Sequence, residues 1–283
     1  MNSRIKTIEE LTFTDDGMFQ AVLHEPTICA KLVERLLHIN VNHVDYPELE
    51  KTIAPFFSTK GVRLDVYLKD QDKIIDVEMQ SYPMDAIGRR SRYYEAMIDM
   101  DTLMKGEDYT KLKDSYILFI CKNDPFRDEK GKPYDLPCYS FRNTCYENYA
   151  VNLNDNSLKV IYNASAYTKE EDPGIQKFLK YVFTDDPEGD DFTKQLSEIV
   201  RKLKDDEKFR SDYAAMNLHD RDIKKAAREE GIAIGLAEGQ EKKAIESAKR
   251  MLIKKYSTDD ISEITGLPLE KVLELKEKLP VKA

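Results

Sequence analysis

Polar and apolar residues alternate strictly along two neighbouring segments of the chain. Apolar residues occupy every second position of 62–68, and the same alternation returns at 75–80. A period of two predicts two β-strands, each with one apolar and one polar face. The polar run at 69–73 between them predicts a tight turn, so the two strands form an antiparallel hairpin.

Other segments show the helical period or a continuous apolar run. Helices are predicted at 25–37 and 85–104, a central strand buried on both faces at 116–121, and weaker strands at 138–144 and 158–162. The order helix, strand, strand, helix, strand predicts an α/β core.

The segment 185–191 is acidic and contains Pro187 and Gly189, so it can neither continue a helix nor bury apolar surface. We therefore expect an α/β domain at 1–184 and an all-helical extension at 191–283 that ends in a two-helix unit. The helices predicted in this extension lie near 191–203, 207–216 and 223–255, with two short ones within 257–279.

Composition and net charge exclude several classes of protein. Of the 283 residues 41% are hydrophobic, enough for a core, and the net charge is -9, which excludes binding of nucleic acid by bulk positive charge. The four cysteines and four histidines show no metal-ligand spacing. The sequence contains neither a transmembrane-length apolar run nor a secretory signal, so we expect a cytoplasmic protein without a membrane partner.

The two alternating patterns also define the register of the hairpin. Because a one-residue slip would expose one apolar face, the apolar residues of the two strands must oppose each other. A turn centred between residues 71 and 72 then places Asp65 opposite Glu78 on the polar face. The other predicted pairs are Leu68–Ile75, Val66–Val77 and Leu64–Met79 on the apolar face, and Tyr67–Asp76 and Arg63–Gln80 on the polar face.

Two directly opposed carboxylates destabilise a sheet unless something neutralises them. Asp65 and Glu78 therefore form a candidate metal site, because Mg²⁺ prefers oxygen ligands and keeps waters for substrate phosphates. The alternative that the pattern leaves open is a solvated hairpin face whose carboxylates extend into water. Asp76 shares this face, and we expect it to be a surface carboxylate.

Several segments together carry a resemblance to a known family. The sequence KGVRLDVY at 60–67, followed by DVEMQ at 76–80, resembles the motif of the PD-(D/E)XK nucleases, and more narrowly that of the bacterial recombination-promoting nucleases and related transposases. Further segments that fit this family in order and spacing are RSRYY at 90–94, GEDY at 106–109, DPF at 124–126 and ISEITGL at 261–267.

The resemblance implies a restriction-endonuclease-like core, in which helices flank a central mixed sheet, and a metal-dependent endonuclease that hydrolyses DNA. In this family Asp65 and Glu78 would bind Mg²⁺, or Mn²⁺ in its place. Gln80 would orient the attacking water, at a position where the wider superfamily has lysine. Glu34, on the first predicted helix, is a candidate additional ligand. Gln20 stands where the family often has lysine, which leaves the N-terminal contact open.

Two other function classes stay open from the sequence. One is a cleavage-inactive, transposase-derived module that binds DNA or protein, and the other is a ribonuclease. The intact set Asp65, Glu78 and Gln80 favours the enzyme.

Candidate partner contacts lie on the hairpin, the following helix and the C-terminal extension. Side chains that could contact DNA phosphates, sugars or bases are Arg63, Arg90, Arg92 and Tyr93, although helical spacing predicts that one of the tyrosines at 93 and 94 is in the core. The glycines at 231, 235 and 239 form a stripe that suggests a homodimer through the C-terminal helices. The terminal two-helix unit is either a DNA reader or a solvated, ion-paired pair of helices.

Overall fold

The computed structural model describes residues 6–41, 48–53, 62–70, 72–82 and 86–278. Within these residues, six strands form one sheet in the order β1-β2-β3-β4-β6-β5. They are β1 (Glu48–Ile53), β2 (Val62–Lys69), β3 (Lys73–Gln80), β4 (Asp114–Cys121), β5 (Cys138–Phe141) and β6 (Ser157–Asn163). The sheet is mixed: β3, β4 and β6 run parallel to one another, and the pairs β1–β2, β2–β3 and β5–β6 are antiparallel.

Helices precede, separate and follow the strands. The helices described before the C-terminal segment are α1 (Asp16–Leu23), α2 (Pro26–Leu37), α3 (Ile87–Thr102), α4 (Pro173–Thr184) and α5 (Asp191–Asp205), with short 3-10 helices at Ile8–Glu10, Tyr109–Lys111 and Ala164–Lys169. The remaining helices are α6 (Glu207–Ile253), α7 (Thr258–Thr265) and α8 (Leu269–Glu277).

The chain divides into two compact units, Met1–Tyr213 and Ala214–Ala283. In the first unit the helices lie on both faces of the sheet. One face packs against α1, α2, α4 and α5 through an apolar cluster that includes Val66, Val77 and Leu118. The opposite face packs against α3 through a second cluster that includes Tyr67 and Phe119. The predicted core, a central mixed sheet flanked by helices, is confirmed.

The best predicted elements are those with a strong period and a clear end. The helix expected at 25–37 is α2, which has Pro26 in its first turn and ends at His38 in the left-handed region (φ 52°). The strand expected at 116–121 is β4, which lies inside the sheet between β3 and β6 and is buried over most of its length. The hairpin strands and α3 are likewise observed close to their predicted bounds.

Other elements differ from the sequence prediction. The helices α1 and α4 and the strand β1 were not predicted; β1 reads ELEKTI, whose charged residues hide the strand pattern. The helices expected at 207–216 and 223–255 form the single helix α6 of 47 residues, because this stretch contains no proline and its glycines weaken a helix without stopping it.

The boundary between the compact units lies later along the chain than the predicted linker at 185–190. Helix α5 follows that linker, but its apolar residues Phe192, Leu196 and Val200 belong to the first cluster of the sheet. The acidic loop therefore joins two helices of one core.

The second unit contains most of α6 together with α7 and α8. The end of α6 shares with α7 and α8 a small cluster built around Ala248, Ile261 and Val272. Ser257 caps α7 by accepting a hydrogen bond from the backbone N–H of Asp260. Gly266 ends α7 in the left-handed region, with φ 71°. Among the helices described in either unit, none has the length and apolar character needed to cross a bilayer.

Candidate active site

The hairpin of β2 and β3 has the predicted register, with Val66 opposite Val77 and Leu68 opposite Ile75. On the side of the Val66–Val77 pair away from the turn, the side chains of Asp65 and Glu78 accept the backbone hydrogen bonds between the two strands. The backbone N–H of Asp65 donates to Oε1 of Glu78 at 3.0 Å, and the backbone N–H of Met79 donates to Oδ2 of Asp65 at 3.2 Å. The two carboxylates therefore meet between the two strands.

This side-chain exchange changes the pairing at the open end of the hairpin. Leu64, expected on the same face as Val66, belongs instead to the second cluster. Arg63, expected opposite Gln80, is exposed and pairs with Thr52 of β1. The physical reason is that the first residues of β2 pair with β1. The carboxylates of Asp65 and Glu78 accept the N–H groups that would otherwise have continued the pairing of β2 with β3.

Helix α3 buries the carboxylate-bearing face of the hairpin. The side chain of Glu78 is only 2% exposed, so the alternative of a solvated face is wrong. Asp76, expected at the surface, is fully buried, and neither of its carboxylate oxygens has a hydrogen-bond partner among the described residues. An alternating sequence shows which residues share a face but not whether a helix covers that face.

Arg90 of α3 is a positive charge that contacts the buried carboxylate of Glu78. Its Nη2 donates to Oε2 of Glu78 at 2.7 Å, and its Nε donates to the hydroxyl of Tyr94 at 2.5 Å. The guanidinium also lies over the rings of Tyr94 and Phe119, 4.8 Å and 5.8 Å from their centroids. Tyr94 is the core residue of the predicted tyrosine pair, while Tyr93 is 37% exposed.

Helix α1 borders the site from the other side of the sheet. Gln20, which is 7% exposed, places its Nε2 3.5 Å from Oδ1 of Asp65, at the long end of the hydrogen-bond range. The charge of Asp16, in the first turn of α1, raises the pKa values of Asp65 and Glu78 after the larger effect of burial. Asp16 was not among the predicted site residues, although a pair of aspartates before an apolar helical stretch signals a helix start.

Burial is the main cause of unusual acidity in this cluster. It raises the pKa of Asp65 to about 6. It also raises the pKa of Glu78 to about 8, with the charge of Asp65 as the second cause. Burial and then the charge of Glu78 raise the pKa of Asp76 well above its ordinary value. Without a cation, the charged forms of these carboxylates are therefore less stable than they would be in water, and at neutral pH Glu78 is mostly protonated whereas Asp65 is mostly charged.

Comparison with known families identifies the type of domain. The model of the PD-(D/E)XK nuclease family transposases matches residues 24–233. The chain belongs to this family. The match confirms the resemblance drawn from the hairpin motif and gives a domain of the nuclease and transposase type. In the comparisons with curated proteins and with solved structures, no match was found.

Within this PD-(D/E)XK domain the other candidate residues lie in different places. Gln80 is half-buried at the end of β3, and its Nε2 donates to the carbonyl of Tyr82 at 2.7 Å. Arg92 is exposed on α3. Glu34 accepts a hydrogen bond from the backbone N–H of Val41 at 3.0 Å and lines a groove with residues of α5. None of the described contacts of Glu34 joins it to Asp65 or Glu78.

Proposed function

We propose that this chain is a metal-dependent endonuclease that hydrolyses DNA phosphodiester bonds, of the recombination-promoting nuclease and transposase type. The observation that carries the proposal is the reciprocal placement of the Asp65 and Glu78 carboxylates between β2 and β3. A buried and a half-buried carboxylate at a break in a sheet ladder are unfavourable for stability alone, and perturbed acids of this kind cluster at functional sites.

The chemistry of the donor set fits Mg²⁺, with Mn²⁺ as its substitute. In the described part of the chain, no group of three or more His, Cys, Asp and Glu residues is arranged as a metal site. Mg²⁺ needs fewer protein ligands than that, since it commonly binds through one or two carboxylates and completes its shell with water and phosphate oxygens. When ionised, Asp65, Asp76 and Glu78 carry more negative charge than Arg90 can balance, and the oxygens of Asp76 have no hydrogen-bond partner among the described residues.

Each residue has a role that follows from its position. Asp65 and Glu78 would hold the cation, which when bound polarises the phosphate and acidifies water. Gln80 uses its amide nitrogen on Tyr82, so its Oε1 is the atom that would accept a hydrogen bond from the attacking water and orient it. Glu34, proposed from the sequence as an additional ligand, has no described contact that supports this role.

The proposed partners follow the charges around the site. Arg63, Arg92 and Tyr93 are exposed at the hairpin and on α3, where they could contact the DNA backbone. A homodimer through the C-terminal helices stays a prediction, and so do DNA reading by α7 and α8 and a cytoplasmic location.

One observation supports the alternative of a cleavage-inactive module. Glu78 already has a cationic partner in Arg90, so the carboxylate cluster is partly neutralised without a metal. On this alternative the buried charges specify the packing of α3 on the sheet, and the domain binds DNA or protein without hydrolysis.

Plasmid cleavage decides between the two proposals. Purified protein is incubated with supercoiled plasmid in EDTA and in millimolar Mg²⁺, next to Asp65→Asn, Glu78→Gln and, as a matched carboxylate control, Glu34→Gln. We expect Mg²⁺-dependent nicking that falls by at least about a thousandfold in the first two variants and persists in Glu34→Gln. DNA binding without cleavage in any cation would establish the alternative, and cleavage of RNA alone would make the protein a ribonuclease.

A further inference from the structure

Arg90 contacts a carboxylate oxygen that a catalytic cation would also bind. Its Nη2 lies 2.7 Å from Oε2 of Glu78, and its charge acts on Asp65 and Asp76 as well, since it opposes the rise in the pKa of each. The carboxylate of Glu78 is almost completely buried, whereas the side chain of Arg90 is 34% exposed. The guanidinium therefore reaches the buried carboxylate from the solvent side.

The aromatic neighbours of Arg90 hold the guanidinium independently of Glu78. Tyr94 accepts from its Nε, and the rings of Tyr94 and Phe119 lie beneath its plane. Cation–π contacts of this kind are attractive without a carboxylate. Loss of the bond to Glu78 would thus leave Arg90 anchored at the edge of the site.

Gln80 brings no charge to this point, because it is neutral and bonded to the carbonyl of Tyr82. Arg63 pairs along β1 with Thr52, and its charge acts on Asp16. Arg90 contacts Glu78 directly and can supply beside the carboxylates the positive charge that Gln80 lacks.

We infer that Arg90 is a positioning residue that competes with the divalent cation: it holds Glu78 in the metal-free protein, gives up Oε2 when the cation binds, and then contacts a phosphate oxygen of the nucleic acid. This inference rests on the proposed function. A guanidinium suits both partners, because its planar donors match carboxylate and phosphate oxygens equally well.

Cation binding without DNA tests the competition. The Mg²⁺ affinity of the full chain is measured by calorimetry for wild type, Arg90→Gln, Arg90→Lys and the exposed control Arg89→Gln. Removing a competitor should tighten Mg²⁺ binding in Arg90→Gln by roughly five- to tenfold, at the lower end of ordinary coupling between ligands. Arg90→Lys, which keeps the charge, and Arg89→Gln should stay within about twofold of wild type. An Arg90→Gln affinity equal to or weaker than wild type overturns the inference.

A second measurement does not depend on whether Arg90→Gln folds. In wild type the side-chain Nε–H resonance of Arg90 is assigned as the signal that Arg90→Lys loses. Mg²⁺ should shift this resonance in step with saturation, and a resonance that stays unchanged while Mg²⁺ binds contradicts the displacement.

DNA binding tests where the guanidinium goes. With Ca²⁺ in place of Mg²⁺, wild type should bind a DNA duplex more tightly than it does in EDTA. In Arg90→Gln the increase in DNA affinity on adding Ca²⁺ should be about tenfold smaller, whereas Arg89→Gln should show the wild-type increase. A wild-type increase in Arg90→Gln would contradict the contact between Arg90 and a phosphate. If wild type binds no cation and cleaves in none, the proposed function fails. Cation-dependent cleavage with unaltered Arg90→Gln affinity makes the inference alone fail.

Discussion

The two faces of the central sheet are both covered by helices, yet they differ in what they bury. The face toward α1, α2, α4 and α5 contributes apolar side chains such as Val66, Val77 and Leu118 to its cluster. The face toward α3 adds Asp76 and Glu78 to an otherwise apolar set. Packing of the apolar face stabilises the register of the hairpin. In that register the carboxylates lie close together.

The two faces also differ in their buried polar atoms that lack hydrogen-bond partners among the described residues. Among the described residues, the buried side-chain oxygens without a hydrogen-bond partner belong to Tyr67, Asp76 and Ser115. Cross-strand pairing relates Tyr67 to Asp76, and Ser115 pairs with Ile74, two residues before Asp76, so all three lie on the α3 face. This face therefore gives up stability close to the candidate catalytic carboxylates, a distribution typical of functional sites.

The strongest way to break the comparison is to place a carboxylate on the apolar face. Val77→Asp puts an unpaired charge among apolar residues, where it should destabilise the protein by about 3–5 kcal/mol. Urea unfolding followed by circular dichroism measures this change. A decrease in the free energy of unfolding below about 1 kcal/mol would mean that the two faces tolerate a buried charge equally well.

The pH dependence of stability sharpens the comparison. Asp65 and Glu78, with pKa values raised to about 6 and about 8, bind protons more tightly in the folded protein than in the unfolded chain. Their stabilising contribution is present below their ordinary pKa values and is lost as pH rises through about 6 and then about 8. In EDTA, stability should therefore fall from about pH 4 to about pH 8, by up to about 1.4 kcal/mol per pH unit for each proton that the folded protein retains. The contribution of Asp65 is lost by about pH 6 and that of Glu78 by about pH 8.

Glu78→Gln is the control for this profile, because it removes the group whose pKa is raised to about 8. Its unfolding free energy should change less with pH than that of wild type between about pH 6 and about pH 8. Mg²⁺ should oppose the loss in wild type, since it binds the folded arrangement and not the unfolded chain. A wild-type profile that rises toward pH 8 in EDTA would contradict the acidities assigned to the cluster.

A smaller effect is expected from removing the buried carboxylate without partners. Asp76→Val replaces a carboxylate whose two oxygens have no hydrogen-bond partner in the described part of the chain by an apolar side chain of similar size, and should stabilise the protein by about 1–2 kcal/mol. Asp72→Asn, whose wild-type side chain is 71% exposed, should change stability by less than about 0.5 kcal/mol. Destabilisation in Asp76→Val would show that Asp76 has a partner in solution, such as water or a cation.

The smallest expected effect concerns Gln80, which lies at the edge of the α3 face. If Gln80 orients water without supplying charge, Gln80→Ala should slow cleavage by about tenfold to a hundredfold, and Gln80→Lys should keep or raise the rate. Single-turnover cleavage in Mg²⁺ measures both. Equal rates in all three proteins would assign Gln80 to structure alone.

The parts of the fold that the sequence predicted are those specified by local periodicity. The alternation at 62–68 and 75–80 was sufficient to predict the register of Val66 with Val77, and a continuous apolar run was sufficient for β4. The apolar period and Pro26 predicted α2 almost to the residue. These signals depend on residues close together in the chain, so no knowledge of the tertiary packing was needed.

The parts that were missed depend on contacts between distant residues. Nothing near Asp76 shows that α3 will cover it, and nothing near Arg90 shows that it will bond to Glu78. The separation of β2 from β3 beyond Val66 results from two side chains that accept backbone hydrogens across the strands. Such exchange is a property of the folded pair, which is why Leu64 was assigned to the wrong face.

The hairpin register has a consequence for how the gene can change in length. The pairs from Lys69–Ile74 to Val66–Val77 stand between the turn and the carboxylates. An inserted codon in the turn lengthens the connection between the strands without shifting these pairs, and a longer connection costs little. The same insertion within these pairs on one strand would rotate Asp65 away from Glu78 while every site residue is still encoded. In descendants of this gene, length variation should therefore accumulate in the turn and be eliminated from the strands beside it.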